Sequence, residues 1–387
     1  MIRDGTLIEE NSATNLENSM HKPRSYQEPK LTRRHLLDLA AAAASCAMAA
    51  AAAIPMAATA QPLASGSGRK GDNHFRLSWL TTIGNHGPIV EVMKRTNVLS
   101  NWGVSASYAP FPIAGPAASA AAAGEIDIFW GADLGVWGIN SQGFDWVAIA
   151  ANNGWRFGIA TRKGSGINSI GDLKGKTVGY PFSTGTGKYL EDILAEQNLK
   201  VGVDFKTVNV PVSAVQVALT SGQVDAVGAW DPPMITQLSG EKLLAEGYTG
   251  PGRKRPGTVF AVKADDVKRR PEMLIRFLCA YIDAQWYAIT HLDQVIGWFA
   301  QESRFTPELL RKSIENDSMY SAKKITDINI AISPEMLQTM QQNVQYFVNN
   351  GQLKKVIDPR NYVNTSLVQQ AQERIAKSGP SAIIVNR

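Results

Sequence analysis

The sequence has little of the chemistry on which nucleophilic and metal-dependent enzymes rely. Its 387 residues include two cysteines and five histidines, and the histidines are widely spaced, without two on one helical turn. Cys279 falls on the apolar side of a predicted helix, a position typical of core residues rather than of nucleophiles. No nucleophile elbow is present. These absences predict a protein that is not an enzyme and that holds neither a cofactor nor a metal ion.

Signatures of nucleotide and nucleic-acid binding are missing as well. In a P-loop, a glycine would stand where this chain has Phe182, and a serine or threonine where it has Tyr189. The formal net charge is +5, but no long basic run accompanies it. The basic triplets at residues 253–255 and 268–270 are isolated, which is typical of a solvated surface. We therefore expect neither phosphate-transfer chemistry nor a nucleic-acid partner.

The N-terminal segment, in contrast, has the features of an export signal. A twin-arginine pattern at residues 32–37 precedes a run of small apolar residues at 39–57, and residues 58–60 fit a small-x-small cleavage site. A membrane anchor is the alternative, but a run made mostly of alanine is too weakly hydrophobic to hold a stable span. We predict a twin-arginine signal peptide over residues 1–60, cleaved near Ala60, and a periplasmic location.

The rest of the chain alternates between strand and helix patterns. Strands are expected at residues 75–81, 104–111, 126–130, 146–151, 177–180, 206–210, 226–229 and 258–262. Helices are expected at 89–98, 117–123, 188–199, 212–221 and 233–237, and then at 273–290, 292–300, 307–314 and 334–349. This alternation predicts an α/β fold in which mainly parallel strands are covered by helices on both faces.

One junction occurs twice, and it suggests two similar units. Residues 124–127 (Gly-Glu-Ile-Asp) and 222–225 (Gly-Gln-Val-Asp) each join a short helix to a strand. We therefore expect two α/β units in succession, followed by helices from Pro271 onward. The tail from Ser378 is expected to be loose.

Residues 173–187 combine a short strand, a polar loop and the start of a helix. Ser183, Thr184 and Thr186 supply hydroxyl groups, and Gly185 lets a ligand come close to the backbone. The first N–H groups of a helix favour an anion. The stretch predicts an anion-binding loop, although serine and threonine at such a place also serve simply as helix caps.

Ligands of α/β sheets bind outside the carboxyl ends of the strands, so the residues after each strand are candidate contacts. The candidates are Thr81, Asn85, His86, Asp133, Asn153, Ser183, Thr184, Gly185, Thr186, Trp230 and Asp231. They are rich in hydroxyl, amide and aromatic groups. Such a lining suits a small polar ligand that is held by hydrogen bonds and stacked on aromatic walls.

Two stretches carry a resemblance to a known family. Residues 170–179 (Ile-Gly-Asp-Leu-Lys-Gly-Lys-Thr-Val-Gly), with the Ser/Thr/Gly loop after them, resemble the second domain of periplasmic solute-binding proteins of ABC importers, in the nitrate, taurine and alkanesulfonate group. Residues 218–226 (Ala-Leu-Thr-Ser-Gly-Gln-Val-Asp-Ala), closing with Trp-Asp-Pro at 230–232, resemble the same domain. The resemblance extends from residue 75 to residue 349.

The resemblance implies a type II-like periplasmic binding protein fold, in which the ligand binds in a cleft between two lobes. Lobe I would comprise residues 75–162 and 263–377, lobe II residues 163–262, and residues 378–387 would form a tail. In proteins of this group the loop matching residues 183–186 contacts the acidic oxygens of the ligand, and closure presents both lobes to a membrane permease.

Three candidates have roles that the sequence leaves open. This chain has Asp133 where relatives commonly carry a small neutral residue. A carboxylate facing the cleft would repel a bare sulfonate or nitrate and favour a ligand with an ammonium or another donor, but Asp133 is equally placed to cap a helix that begins at Leu134. Asp231 poses the same question. Trp230 would either stack on the ligand or pack in the core of lobe II.

We therefore predict a monomeric extracytoplasmic binding protein that delivers a small anionic solute to an ABC importer. The expected solute is a sulfonate such as taurine or an alkanesulfonate. One alternative is an aromatic acid or a thiamine-type pyrimidine, stacked on the tryptophans. Another is an enzyme, because related folds serve in pyrimidine and menaquinone biosynthesis, but the export signal argues against both of those pathways.

Overall fold

Ten strands form the framework of the described chain. The structure, a computed structural model, describes residues 73–152, 156–182, 184–195, 197–231, 241–248, 257–315 and 317–386, so the predicted signal peptide lies outside the described residues. The strands are β1 His74–Leu80, β2 Ser105–Phe111, β3 Ile128–Ala132, β4 Trp146–Asn152, β5 Arg156–Thr161, β6 Thr177–Tyr180, β7 Lys206–Asn209, β8 Ala226–Trp230, β9 Lys242–Tyr248 and β10 Thr258–Lys263.

The strands are arranged in two sheets that repeat one topology. The first sheet has the order β2-β1-β3-β10-β4, and the second has the order β7-β6-β8-β5-β9. In the first sheet β2, β1 and β3 run parallel, while β10 is antiparallel to β3 and β4. In the second sheet β7, β6 and β8 run parallel, while β5 is antiparallel to β8 and β9. The prediction of two similar, mainly parallel units is confirmed.

The repeated junction adopts the same geometry in both units. Gly124 and Gly222 have φ angles of 81° and 79°, in the left-handed region that favours glycine. The side chain of Asp127 accepts a backbone N–H of β1 at 2.9 Å, and that of Asp225 accepts a backbone N–H of β6 at 2.8 Å. Each aspartate therefore fixes the start of its strand against the neighbouring strand.

Helices cover both faces of each sheet. They are α1 His86–Arg95, α2 Val98–Asn101, α3 Ala114–Ala122, α4 Asp133–Ser141, α5 Gly185–Ala195, α6 Val215–Thr220, α7 Ala264–Arg269, α8 Pro271–Thr290, α9 Leu292–Glu302, α10 Pro307–Ile314, α11 Pro334–Asn349 and α12 Ser366–Ser378. Helices α1, α8, α9 and α12 contribute to the apolar core on one face of the first sheet, and α3, α4 and α11 to the core on the other face. Helices α5 and α6 contribute to the two cores of the second sheet. No helix in the described ranges is both long enough and apolar enough to cross a membrane.

The central helix α8 buries the face that the sequence predicts. Its apolar positions Leu274, Phe277, Leu278, Tyr281 and Ile282 are all at most 1% exposed. Their spacing by three or four residues places them on one side of a helix, where they pack against the first sheet. We call the first sheet with its helices lobe I, and the second sheet with α5 and α6 lobe II.

Strands β5 and β10 correct the predicted lobe boundaries. The prediction placed residues 75–162 in lobe I and residues 163–262 in lobe II. The structure places β5 in the second sheet and β10 in the first, so each crossover between lobes lies one strand earlier. The sheet to which a strand belongs depends on its hydrogen-bonding partner, which the local pattern does not reveal. The predicted helix at 233–237 lies outside the described residues.

The C-terminal tail is not loose, contrary to the prediction. The Asn97 backbone N–H donates to Ile384 O at 3.0 Å, and the Ile384 N–H donates to Asn97 Oδ1 at 2.7 Å. The Asn386 N–H donates to Arg95 O at 2.7 Å. These bonds hold the tail against the turn between α1 and α2.

Candidate ligand-binding cleft

A small cavity of about 40 Å³ lies where strand ends of the two lobes face each other. Leu80, Ile83, Ile113, Ala114, Ala132 and Leu134 line it from lobe I, and Phe157, Thr184, Gly185 and Trp230 line it from lobe II. One water occupies roughly 10–15 Å³ by this kind of measure, so the space suits a few waters or one small head group. We call it the inner cavity. Its lining is mostly apolar, which differs from the hydroxyl- and amide-rich lining that the sequence suggests.

The N-terminus of α5 opens onto the inner cavity. Thr184 Oγ1 donates to Pro181 O at 2.7 Å and accepts the Thr186 N–H at 3.3 Å, so Thr184 caps the helix. The helix begins at Gly185, which with Thr184 lines the cavity. The positive end of the helix dipole therefore points at an enclosed, mostly apolar space, where it acts more strongly than in water. Ser183 lies outside the described residues.

Thr186 directly follows Gly185 but points away from the inner cavity. It is 0% exposed, and its Oγ1 has no hydrogen-bond partner among the described residues. Its methyl group faces Gly228 of β8, where an added Cβ would stand 3.1 Å from Thr186 Cγ2. Thr186 does not line the inner cavity, so the structure does not support direct contact between Thr186 and a ligand.

The Trp230 indole crosses the cleft from lobe II to lobe I. Its Nε1–H donates to Thr82 O at 3.1 Å, with Thr82 Oγ1 at 3.3 Å. The Thr82 hydroxyl in turn donates to Pro112 O at 2.7 Å. Trp230 is 6% exposed and packs edge-on against Phe157, with ring centroids 6.5 Å apart. It is thus a core residue that also forms one wall of the inner cavity.

A second contact between the lobes lies at α5 and α11. The Lys188 Nζ is 5.8 Å from the centroid of the Tyr346 ring. A Cβ added to Gly187 would stand 2.8 Å from Tyr346 Oη, so the Tyr346 side chain would have to move to admit a larger residue. Together with the Trp230–Thr82 bonds, this contact holds the lobes close on two sides of the inner cavity.

Asn85 and His86 lie inside lobe I rather than on the cavity wall. His86 is fully buried and stacks on Trp130, with ring centroids 4.0 Å apart. Burial lowers the pKa of His86 to about 3, so the imidazole is neutral at physiological pH. Asn85 is 3% exposed and donates to Asp317. The structure therefore does not support direct ligand contact by either residue.

Asp133 is also buried within lobe I. It is 0% exposed and is the first residue of α4, and its Oδ1 accepts the Leu134 N–H at 2.8 Å. Burial raises the pKa of Asp133 to about 7, which favours the neutral carboxyl. The neighbours Ala132 and Leu134 line the inner cavity, but Asp133 does not. Of the two alternatives, the structure supports the position at the helix start.

Asp231 forms an ion pair at the end of β8. Arg156 Nε donates to Asp231 Oδ2 at 2.7 Å, and the two side chains are only 11% and 4% exposed. Because Asp231 holds a cation of its own lobe, it is not a cleft carboxylate that would repel an anionic ligand. Asn153, predicted to follow β4 as a ligand contact, lies outside the described residues.

A buried polar cluster in lobe I links Asn85 to a distant loop. Asn85 Nδ2 donates to Asp317 Oδ2 at 2.5 Å, and the Met319 N–H donates to Asp317 Oδ1 at 2.8 Å. Tyr320 Oη donates to Asn85 O at 2.8 Å. Burial, and to a smaller extent the nearby Asp231, raises the pKa of Asp317 to about 8 against the lowering effect of the two hydrogen bonds.

This pKa predicts that Asp317 makes the protein less stable as pH rises. Between about pH 4 and pH 8 the folded state keeps a proton that the unfolded chain releases, so stability is lost across that window by roughly 1 kcal/mol per pH unit. An asparagine in place of Asp317 would not titrate, and a flipped Asn85 amide could pair with it. We expect Asp317→Asn to gain stability relative to the parent as pH rises from 5 to 8, measured by urea unfolding. Parallel pH profiles for the two proteins would contradict the assignment.

A larger groove of about 860 Å³ lies beside the inner cavity, also between the lobes. Its lining includes five aromatic side chains, which are Trp79, Tyr108, Phe299 and Phe305 from lobe I and Phe182 from lobe II. Thr81 lies here, and its Oγ1 donates to Phe111 O at 3.3 Å. We call this space the outer groove. Trp79 is one of the tryptophans on which the sequence predicted that an aromatic ligand would stack. The sequence did not single out the other four aromatic residues, because they are scattered over separate elements and loops.

The comparison with protein families fits this architecture. Residues 115–295 match the family described as NMT1/THI5 like. The matched span runs from α3 to α9 and includes strands of both sheets, together with the loop at the start of α5. The matched residues make up just under half of the chain. They include both crossover strands and most of the inner cavity's lining.

Some of the proteins with similar sequences are named as binding proteins. A protein of Brucella abortus (strain 2308), named as a binding protein, is 24% identical over 228 residues, or 58% of this chain and 66% of that protein. An aliphatic sulfonates-binding protein of Bacillus subtilis (strain 168) is 22% identical over 228 residues, or 57% of this chain and 64% of that protein. The matches thus span just under two thirds of the relatives' length.

Several solved structures share the fold of this chain. The periplasmic aliphatic sulphonate binding protein SsuA from Escherichia coli superposes with a TM-score of 0.64 at 18% identity, covering 76% of this chain and 93% of that chain. The desulfurization enzyme DSZB reaches a TM-score of 0.59 at 14% identity, covering 78% and 99%. The predicted two-lobed periplasmic binding protein fold is confirmed. At such identities the likeness establishes the fold alone, and that fold serves both binding and catalysis.

Proposed function

We propose that the protein is an exported solute-binding component of an ABC importer and that it binds an organic sulfonate between its lobes. The observation that carries this proposal is the N-terminus of α5, which opens onto the inner cavity that both lobes enclose. The sulfonates-binding relative supports the ligand class. Delivery to a membrane permease, export through the twin-arginine signal, cleavage near Ala60 and a monomeric state belong to the same proposal.

The chemistry of the inner cavity suits an acid with an apolar body. The first-turn N–H groups of α5 would hold the sulfonate oxygens, because a helix N-terminus favours a negative charge. The apolar side chains around them, such as Ile83 and Ile113, would contact the carbon skeleton. Nitrate has no carbon skeleton and would use only the polar part of this lining, so we favour an organic sulfonate over nitrate.

Lobe closure would couple binding to recognition by the permease. Trp230 forms part of the cavity wall and also donates across the cleft to Thr82. A ligand in the inner cavity would therefore touch the same indole that links the lobes. Because a ligand shifts an equilibrium by its differential affinity for the two states, contact with both lobes favours the closed one.

Two substitutions at Thr184 test this proposal by changing the charge of the helix cap while keeping a good capping residue. Asparagine and aspartate are both good helix caps and differ by one charge, so Thr184→Asn and Thr184→Asp should both keep α5 folded. We expect Thr184→Asn to bind butane-1-sulfonate within a few-fold of the parent, and Thr184→Asp to lose about tenfold to a hundredfold, because like charges in a desolvated site repel strongly. Isothermal titration calorimetry measures both constants. Equal affinities for the two variants, or no binding by the parent, would contradict the proposal.

A further inference from the structure

The outer groove is large enough to hold most of an organic ligand. Its volume of about 860 Å³ falls within the roughly 300–1,000 Å³ that is typical of small-molecule sites. Trp79, Tyr108, Phe299 and Phe305 form its lobe I side, and Phe182 faces them from lobe II. Aromatic side chains contributed by both lobes offer a flat ligand surfaces on which to stack.

The outer groove adjoins the inner cavity, because Ile113 lines both spaces. On lobe II, Phe182 lines the groove and Thr184, two residues further along the chain, lines the cavity. A ligand whose acid group reaches the N-terminus of α5 and whose body exceeds the inner cavity must therefore extend past Ile113 and Phe182 into the groove.

Charged groups in the outer groove favour an electron-rich or anionic ligand. Lys94 Nζ is 5.4 Å from the Trp79 ring centroid and 5.9 Å from that of Tyr108, and it also pairs with Glu91. Glu302, the acidic residue of the lining, is paired with Arg95 at 3.4 Å. Arg304 also lines the groove and has no carboxylate partner within the part of the chain that the structure describes. These cations would repel the ammonium group of a ligand such as taurine.

We propose that the physiological ligand is an aromatic sulfonate, with its sulfonate in the inner cavity and its ring system in the outer groove. The ring lies between Phe182 of lobe II and the lobe I aromatic residues, so it completes the contact between the lobes on that side. This inference rests on the proposed function, because it places the acid group at the same helix N-terminus.

Phe182 provides a sharp test because the chain offers a matched control. Phe182 is 39% exposed in the groove, and Phe144 is 44% exposed on a turn of lobe I that does not line either space. Both can be truncated without opening a core cavity. The probes are naphthalene-2-sulfonate, which fills the groove, and methanesulfonate, which fits the inner cavity alone, each titrated calorimetrically into the parent, Phe182→Ala and Phe144→Ala.

We expect the parent to bind naphthalene-2-sulfonate at least about tenfold more tightly than methanesulfonate. Phe182→Ala should weaken naphthalene-2-sulfonate about tenfold and change methanesulfonate less than about twofold, while Phe144→Ala should change neither. If both sulfonates bind with equal affinity, or if Phe182→Ala weakens both alike, the aromatic assignment is overturned and the proposed function stands. If neither sulfonate binds the parent, both are overturned.

Discussion

Asp231→Ala is expected to lower the free energy of unfolding by about 1.5–3 kcal/mol, because it removes a charge-assisted hydrogen bond from Arg156 that is largely shielded from water. The two side chains are 11% and 4% exposed, with Arg156 Nε 2.7 Å from Asp231 Oδ2. The pair joins the start of β5 to the end of β8, next to the Trp230 wall of the inner cavity. Urea unfolding at pH 7 measures the loss, and we expect reduced ligand affinity from the same displacement.

An exposed ion pair gives the matched control for that variant. Asp293 of α9 pairs with Arg311 of α10, and these side chains are 83% and 51% exposed. Exposed pairs contribute less than about 1 kcal/mol, so Asp293→Ala should change stability little. If Asp231→Ala were as mild as Asp293→Ala, the buried pair would not hold β5 and β8 together as we describe.

Gly87→Ala is expected to destabilise the protein by about 1–3 kcal/mol, because the added methyl group overpacks a filled core. A Cβ at Gly87 would stand 2.2 Å from Phe299 Cε2 and Cζ. Phe299 is 1% exposed, and its ring meets Trp79 edge-on at 6.0 Å, so it has little room to move. Since Phe299 and Trp79 both line the outer groove, the variant should also weaken groove-filling ligands.

Gly297→Ala should stabilise the protein, in contrast to Gly87→Ala, and it serves as the control for that variant. Gly297 lies inside α9, where a Cβ would meet nothing within 4 Å. Alanine favours a helix interior over glycine by about 0.5–1 kcal/mol, so this variant should be more stable than the parent. Thermal unfolding of both variants measures the difference, and a shift in the same direction for both would contradict the packing that we infer at Gly87.

The sequence predicted the alternation of strands and helices well. For three helices, however, the predicted start is too late by the same number of residues. Helices α1, α3 and α5 each begin three residues before the predicted start, at His86, Ala114 and Gly185. In each case a glycine lies in the first turn, and glycine in sequence indicates a loop.

Strands β5 and β9 were not predicted at all, because neither shows the signal of a half-buried strand. In Arg156–Thr161 the residues from Phe157 onward are buried on both faces, so no alternation is visible. Lys242–Tyr248 contains Gly247 and Glu246 and does not alternate either. Without β5, the position of Phe157 on the wall of the inner cavity could not be inferred.

The candidate site was predictable at α5 and much less so in lobe I. The hydroxyl-rich loop before α5 is a local signal, and the structure places Thr184 and Gly185 on the inner cavity. Asn85 and His86 follow β1 as predicted, yet the helix α1 turns them into the core. The hydrogen-bond partner of Asn85, Asp317, is more than two hundred residues away in the chain, and no local pattern connects the two.

The most direct test of the central claim is a crystal structure of the protein with butane-1-sulfonate, in which the anomalous signal of sulfur locates the head group. We predict sulfonate oxygens within about 3.2 Å of first-turn backbone nitrogens of α5, with the butyl chain extending from the inner cavity past Ile113 toward the outer groove. A sulfonate bound instead to Lys94 or Arg304 in the outer groove, with nothing at the helix N-terminus, would contradict the account.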